Sequence, residues 1–149
     1  MIGTMEKTTT TIRDLIIINN DRFEGYQKAA NETKDADLKA MFTRFSSQSK
    51  MFNADLQKLI PDSETPKDSA TSASGKLYRT WMDLKAAVTA NDRKAILSSC
   101  EYGEDVALKA YKEALNDEDI PEDVRITLRK HKNELQEAHD SVKSLRDRT

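Results

Sequence analysis

Four polar residues interrupt otherwise apolar helical stripes, and their types are the ones in this sequence best suited to chemistry. They are Asn19, Gln48, Glu104 and His139. A polar group buried without a partner costs about 1–3 kcal/mol, so we expect the four to share one layer and satisfy one another. Glu104 and His139 form the natural charge-assisted pair. Two interpretations stay open, a structural hydrogen-bonded layer that fixes helix register and a metal or redox site.

The clearest element that must position these residues is the helix that carries Glu104. From Leu97 to Leu115, residues suited to a core recur every three or four positions, and Glu104 is the exception among them. The same periodicity predicts four more helices. The five predicted helices span about residues 8–31, 37–60, 76–90, 92–116 and 121–146, within a single domain of residues 1–149.

The ends of these helices carry recognisable signals. The run Thr8–Thr11 offers an N-cap to the first helix, and Asp92 offers one to the fourth. Pro61 is expected to stop the second helix, and Pro121 suits the first turn of the last. A polar loop at residues 61–74 precedes the short third helix.

The lengths of the connections predict the topology. Short loops join the first two helices and the last two, so each pair should form an antiparallel hairpin. Roughly 30 residues separate the hairpins, far more than the usual 2–8. Such a connection can cross the whole bundle, and a single long crossover between two hairpins is the arrangement of ferritin-like four-helix bundles. The short third helix would then be an addition carried on the crossover.

Composition supports an all-α fold and argues against several classes of function. Charged residues make up 34% of the chain, with only 4 Gly and 3 Pro, which favours long helices. The 24 basic and 26 acidic residues are interspersed, so we expect no nucleic-acid partner. The longest apolar run, Leu15 to Ile18, is too short to span a membrane, and no secretory signal is evident. A single cysteine fits a reducing compartment, and we expect a cytoplasmic protein.

Three stretches carry a resemblance to known proteins. They read NDRFEGYQKAA, SGKLYRTWMDLK and CEYGEDVALKAYKEAL, and the pair His139-Asp140 follows in the last helix. In these features, from about Ile12 to Arg146, the chain resembles a bacterial four-helix-bundle family of unknown function within the ferritin-like superfamily. The resemblance implies the bundle fold and no established activity.

The resemblance also implies a specific set of ligands. Metal-binding members of the superfamily use Glu on helix one, Glu-x-x-His on helix two, Glu on helix three and Glu-x-x-His on helix four. Here Glu104 and His139 match, but Gln136 takes the acid's place in the last motif and Asn19 stands where the first Glu belongs. Residues 37–60 contain no Glu and no His. A degenerate di-metal site without a resident cofactor is therefore expected, with at most one weakly held metal at Glu104, His139 and Gln136.

Five other residues have simpler interpretations. Cys100 is expected to be a small buried side chain and not a redox sensor. His131 has no companion at metal-ligand spacing and is expected at the surface. Gly25 and Gly103 lie inside helices, where each costs about 1 kcal/mol relative to Ala, so they should mark a close approach that leaves room for a bulky neighbour. Trp81 is predicted to anchor the short helix across the bundle.

The function predicted from these features is non-enzymatic. We expect a small bundle that acts by interaction or oligomerisation in the stress physiology of a bacterium. We expect no membrane partner, and the sequence does not identify the protein partner. The alternative is a metal-binding or oxidoreductase protein with a reduced mononuclear site. A ligand pocket beside Trp81 is a third alternative.

Overall fold

A computed structural model describes residues 4–67 and 75–149, and this part of the chain contains five α-helices and no strand. The helices are α1 (Thr4–Glu32), α2 (Ala36–Gln57), α3 (Gly75–Thr89), α4 (Arg93–Asn116) and α5 (Glu122–Asp147). The all-α prediction is confirmed. Within the described ranges, no helix combines the length and the apolar character needed to cross a membrane.

Two of the predicted helix ends are wrong. Helix α1 already begins at Thr4, so the Thr8–Thr11 run lies inside the helix and is not its N-cap. Thr9 donates from Oγ1 to the Met5 carbonyl at 2.9 Å, the bond a threonine makes inside a helix. Helix α2 ends at Gln57, before the predicted end at residue 60. Pro61 has an extended backbone, and a proline disfavours the helical conformation in the residue before it.

Other signals at the helix ends are correct or lie beyond the described part. The Asp92 side chain accepts a hydrogen bond from the Ala95 amide at 3.1 Å, so the predicted cap of α4 is confirmed. Pro121 occupies the N-cap position of α5, one residue earlier than predicted. Residues 68–74 of the predicted loop lie outside the described residues.

The long helices pack in two antiparallel pairs. Helix α1 packs along α2, and α4 packs along α5. Between the pairs, Arg22 contacts Glu104 and Lys7 contacts Asp117. Residue numbers therefore increase along α4 in the direction in which they decrease along α1. Helices α1 and α4 are therefore antiparallel, and α4 runs parallel to α2. This is the direction that a chain crossing the full length of the bundle produces.

The short helix α3 lies across the seam between α1 and α4 and is held there by Trp81. A Cβ atom added to Gly25 would stand 2.4 Å from Cε3 of Trp81, and one added to Gly103 would stand 3.4 Å from its Cη2. Tyr26 meets the indole edge to face, at 5.1 Å between ring centroids. The close approach predicted at the two glycines is confirmed, and Trp81 is the bulky neighbour.

A polar layer divides the core into two apolar clusters. The cluster near α3 includes Tyr26, Phe42 and Leu97. The other, at the opposite end of the bundle, includes Ile12 and Phe52. Along α1, α2 and α4, buried polar side chains separate the residues of one cluster from those of the other. This layer contains the predicted Glu104, so the fold places that carboxylate between two dry regions.

Candidate functional site: a buried ion-pair layer

The centre of the layer is an ion pair between Arg22 of α1 and Glu104 of α4. Only 1% of the Arg22 side chain and none of the Glu104 side chain is exposed. The Arg22 Nε donates to Oε2 of Glu104 at 2.9 Å, and Nη2 donates to Oε1 at 2.7 Å. The contact is bidentate, which is the strongest geometry available to this pair of groups.

Helix α2 completes the surroundings of Arg22. Nη1 donates to the Phe45 carbonyl at 3.1 Å and to Oγ of Ser49 at 2.9 Å, while Nη2 also donates to Oε1 of Gln48 at 2.9 Å. With the two bonds to Glu104, these contacts use every one of the guanidinium's five N–H donors. A buried charge that is paired and fully hydrogen-bonded avoids most of the penalty of leaving water.

The electrostatics keep the Arg22 guanidinium charged. Burial disfavours the guanidinium cation, but the adjacent Glu104 carboxylate outweighs this effect and raises the pKa of Arg22 above its usual value. Burial, with Glu104 as the second cause, raises the pKa of the Tyr26 hydroxyl well above its usual value. The same two causes raise the pKa of the Cys100 thiol, so Cys100 is a protonated, buried side chain as the sequence predicts.

From Arg22 the hydrogen bonds continue across the bundle toward α5. Ser49 accepts from Arg22 and donates to Oδ1 of Asn19 at 2.9 Å. The Asn19 amide donates to the Tyr111 hydroxyl at 3.0 Å. That hydroxyl lies 2.9 Å from Nδ1 of His131. Each hydroxyl can therefore accept one bond and donate the next, and the layer connects α1, α2, α4 and α5.

His131 ends this chain of contacts and is fully buried, so its predicted surface position is wrong. Phe52 stacks on the imidazole at 4.1 Å between centroids, and Nε2 lies 2.9 Å from Oδ2 of Asp55. Burial lowers the pKa of His131, although Asp55 opposes the shift. The neutral ring that results accepts from Tyr111 at Nδ1 and donates to Asp55 at Nε2.

The predicted polar residues divide between two places. Asn19, Gln48 and Glu104 lie in the layer, and Gln48 is half-buried at its edge. His139 lies outside it, with Nε2 at 2.9 Å from Asp105. The predicted pairing of Glu104 with His139 is wrong, because Arg22 already engages both oxygens of Glu104.

The predicted mononuclear ligand set is not assembled either. Gln136 donates to Oδ1 of Asp140 at 3.0 Å, and His139 makes its contacts with Asp105 and Asp140. Glu104 faces the core while Gln136 and His139 lie on the outer side of α5, so the three residues do not converge. The predicted ligand set requires His139 to lie on the inward face of α5. In the structure that face carries His131 and Leu135, which are fully buried.

Arg22 is the main residue that the sequence argument missed. It lies three positions after Asn19 and four before Tyr26, on the buried stripe of α1. An inward arginine on one helix and an inward glutamate on another form a complementary pair of charges, and that signal was available. Ser49, three residues before Phe52 on the inward stripe of α2, gives a weaker signal of the same kind.

The polar groups of the layer are engaged mainly with one another. Burial raises the pKa values of the Cys100, Tyr26 and Tyr111 side chains, which keeps these three groups protonated. The oxygens of its central carboxylate are occupied by a guanidinium that belongs to the same chain. What the layer can do is hold four helices in one register, since a shift of any helix would leave a buried charged or polar group without its partner.

A family described as a domain of unknown function, DUF2383, matches residues 7–117. The chain belongs to this family. In this DUF2383 protein the matched segment runs from α1 through α4, so it includes Arg22, Gln48 and Glu104, while His131 and His139 lie beyond it on α5. No curated protein matches the chain.

Proposed function

We propose that this DUF2383 protein is a non-enzymatic, ferritin-like four-helix bundle that acts by binding a helical partner. The ferritin-like assignment is supported by the two antiparallel pairs, by the parallel course of α2 and α4, and by the long connection that carries α3. A bacterial, cytoplasmic protein with a role in stress physiology stays a prediction from the sequence.

An ion pair takes the place of a di-metal centre in this proposal. Two hard metal ions require several carboxylates for charge balance, whereas the layer supplies Glu104 alone at its centre. Arg22 delivers the compensating positive charge through a complete set of hydrogen bonds. The layer therefore fits a bundle in which a stabilising ion pair occupies the place of a metal centre.

Partner binding rests on one observation, an apolar groove on the seam between α1 and α4. Helix α3 covers this seam near Gly25 and Gly103, and the part nearer to the start of α1 remains open. There a cleft of about 510 Å³ is lined by Thr11, Asp14, Leu15, Ile17, Ile18, Ala110, Glu113, Ala114 and Asp117. The floor is apolar and the rim is acidic.

The shape and the charge of the groove favour a basic amphipathic helix as its occupant. The seam already accommodates one helix, α3, and the small Ala110 and Ala114 let a second backbone approach closely. Among the described residues Asp14 has no ion-pair partner across the groove, and partial burial raises the pKa of its carboxyl. A lysine from the partner would offset the energetic cost of that desolvation, and apolar side chains of the partner would pack on Ile17 and Ile18.

The test uses two labelled helical peptides of equal length, one built from Leu and Lys and the other from Leu and Glu. Fluorescence anisotropy should show binding of the Lys peptide only. Ile18→Glu should weaken this binding at least about tenfold, because it places a charge on the apolar floor. The matched control is Ile126→Glu, since Ile126 is 61% exposed and lies outside the groove.

Three outcomes would contradict the proposal. They are equal binding of the two peptides, no binding of the Lys peptide, and equal losses in Ile18→Glu and Ile126→Glu. Sedimentation of the protein alone provides a further check. A dimer that Ile18→Glu dissociates would identify a second copy of the chain as the occupant and would overturn the basic-helix partner.

A further inference from the structure

A second group of chemically capable side chains lies on the outer side of the α4–α5 pair. It consists of Glu101 and Asp105, one turn apart on α4, and His139 on α5. One ligand atom from each residue lies within 4.8 Å of the other two. Asp105 directly follows Glu104 in the chain, but its side chain is 55% exposed where that of Glu104 is fully buried.

The two ring nitrogens of His139 face carboxylates on different helices. His139 faces Oδ1 of Asp105 from Nε2 at 2.9 Å and Oδ1 of Asp140 from Nδ1 at 3.1 Å. A neutral imidazole has one N–H, so it can donate to only one of these carboxylates. The other nitrogen and its facing oxygen then present lone pairs to each other, unless a second proton or a metal ion stands between them.

Glu101 supplies an independent observation, a buried oxygen that lacks a donor. Its Oε1 accepts from Nη1 of Arg146 at 2.6 Å, which fixes the direction of the carboxylate. Its Oε2 is buried and has no hydrogen-bond partner among the residues that the structure describes. A buried carboxylate oxygen without a donor is costly, and it lies on the same residue that contributes to the cluster.

We infer that Glu101 Oε2, Asp105 Oδ1 and His139 Nε2 form a binding site for one divalent transition-metal ion of the Zn²⁺ class. One nitrogen and two carboxylate oxygens are ligands that Zn²⁺ accepts, with a fourth position left to solvent. Ligand atoms about 2.0–2.2 Å from a zinc ion stand about 3–3.5 Å apart, so small side-chain rotations suffice to close the site.

The groups around the three ligands already have the orientation that the metal requires. With a metal ion on Nε2, the imidazole proton lies on Nδ1, which stands 3.1 Å from Oδ1 of Asp140 and can donate to it. Gln136 donates to the same carboxylate at 3.0 Å and holds it in place. A cleft of about 330 Å³, lined in part by Asp105, Gln136 and His139, adjoins the site and leaves room for a water ligand.

This site differs from the one that the sequence suggested, and it does not depend on partner binding. The predicted set used Glu104, which is committed to Arg22 in the core. The inferred set uses the two acids that flank Glu104 on the other side of the same helix. A metal held here would bridge α4 and α5 without entering the polar layer.

The experiment is a calorimetric titration of the metal-free protein with Zn²⁺, repeated with Co²⁺ as a spectroscopic probe. We expect one ion per chain and visible Co²⁺ bands that report a nitrogen–oxygen site. His139→Gln and Asp105→Asn should abolish the bands. Asp140→Asn leaves all three ligands in place and should weaken Zn²⁺ binding about 10–100-fold, the usual cost of losing the group that orients a ligand.

Two controls make the result decisive. Glu137→Gln, an exposed change on the same helix, should leave Zn²⁺ affinity unchanged, as should Glu104→Gln in chains whose circular dichroism shows them folded. Absence of stoichiometric Zn²⁺ binding in the wild type would overturn the inference. Binding that survives His139→Gln, or that is lost in folded Glu104→Gln, would overturn it too, and the second result would return the metal to the core.

Discussion

Helix α4 presents carboxylates to two opposite environments, and the chain neutralises them in different ways. On the inner side, Glu104 meets a guanidinium whose five N–H donors are all used. On the outer side, Asp105 and Asp140 face the two nitrogens of one imidazole, and among the described residues one buried oxygen of Glu101 has no donor. The comparison shows that one carboxylate of α4 has its full complement of hydrogen bonds from a cation of the same chain, whereas the other two form the cluster for which we infer a metal ion.

The largest difference between the two sides should appear when their acids are neutralised. Glu104→Gln leaves the buried Arg22 without its counter-charge and should lower the free energy of unfolding by about 3–5 kcal/mol. Asp105→Asn, one residue along, removes a half-exposed contact and should cost about 0–1 kcal/mol. Urea denaturation of the metal-free proteins measures both. Similar losses of unfolding free energy in the two variants would contradict the proposed difference between the inner and outer carboxylates.

A smaller effect should follow from the contact that holds α3 against α1 and α4 beside the inner pair. Gly25→Ala places a Cβ atom 2.4 Å from the Trp81 indole, and overpacking of this kind costs about 1–3 kcal/mol. Gly103→Ala meets its nearest atom, Cγ2 of Thr80, at 3.2 Å, so the helix propensity of Ala should offset the crowding and leave stability within about 1 kcal/mol of wild type.

Thermal denaturation compares the two alanine variants directly. The Zn²⁺ affinity of the outer cluster should be the same in both, since neither glycine contacts Glu101, Asp105 or His139. An equal loss of stability in the two variants would contradict the tighter contact of Trp81 with α1 than with α4.

The smallest effect concerns the far end of the inner layer and depends on pH. Burial lowers the pKa of His131 from its usual value of 6.5, so the unfolded chain binds a proton at a higher pH than the folded one. Its contribution to stability is present above pH ~6.5 and is lost as the pH falls below that value. His131→Gln should flatten this part of the pH profile, and an unchanged slope would contradict a neutral, buried His131.

Most of the fold could be predicted from the sequence because it depends on periodicity and connection length. The apolar stripes identify all five helices. Gly25 and Gly103 predict a close helix approach to a bulky neighbour, and Trp81 is predicted separately to anchor α3, but only the structure shows that Trp81 is that neighbour. The predicted helix ends are less accurate. Thr8 resembles a cap, but nothing local shows that the helix starts a turn earlier.

The candidate site could be predicted only in part because side-chain direction on a helix depends on its neighbours. His131 and His139 are eight residues apart and both lie close to the apolar stripe of α5, and packing against Phe52 decides which one is buried. Arg22 was overlooked because an isolated arginine is usually solvated. Its burial depends on Glu104, a residue 82 positions away, so neither charge is explained without the other.

The central claim is that Arg22, and not His139, neutralises Glu104, and a pair of double-mutant cycles tests it most directly. The first cycle combines Arg22→Met with Glu104→Gln, and the second combines Glu104→Gln with His139→Gln, each measured by urea denaturation without metal. We predict a coupling energy of about 2–3 kcal/mol in the first cycle, and additivity within about 0.5 kcal/mol in the second. Additive effects of Arg22→Met and Glu104→Gln, or strong coupling between Glu104 and His139, would contradict the account.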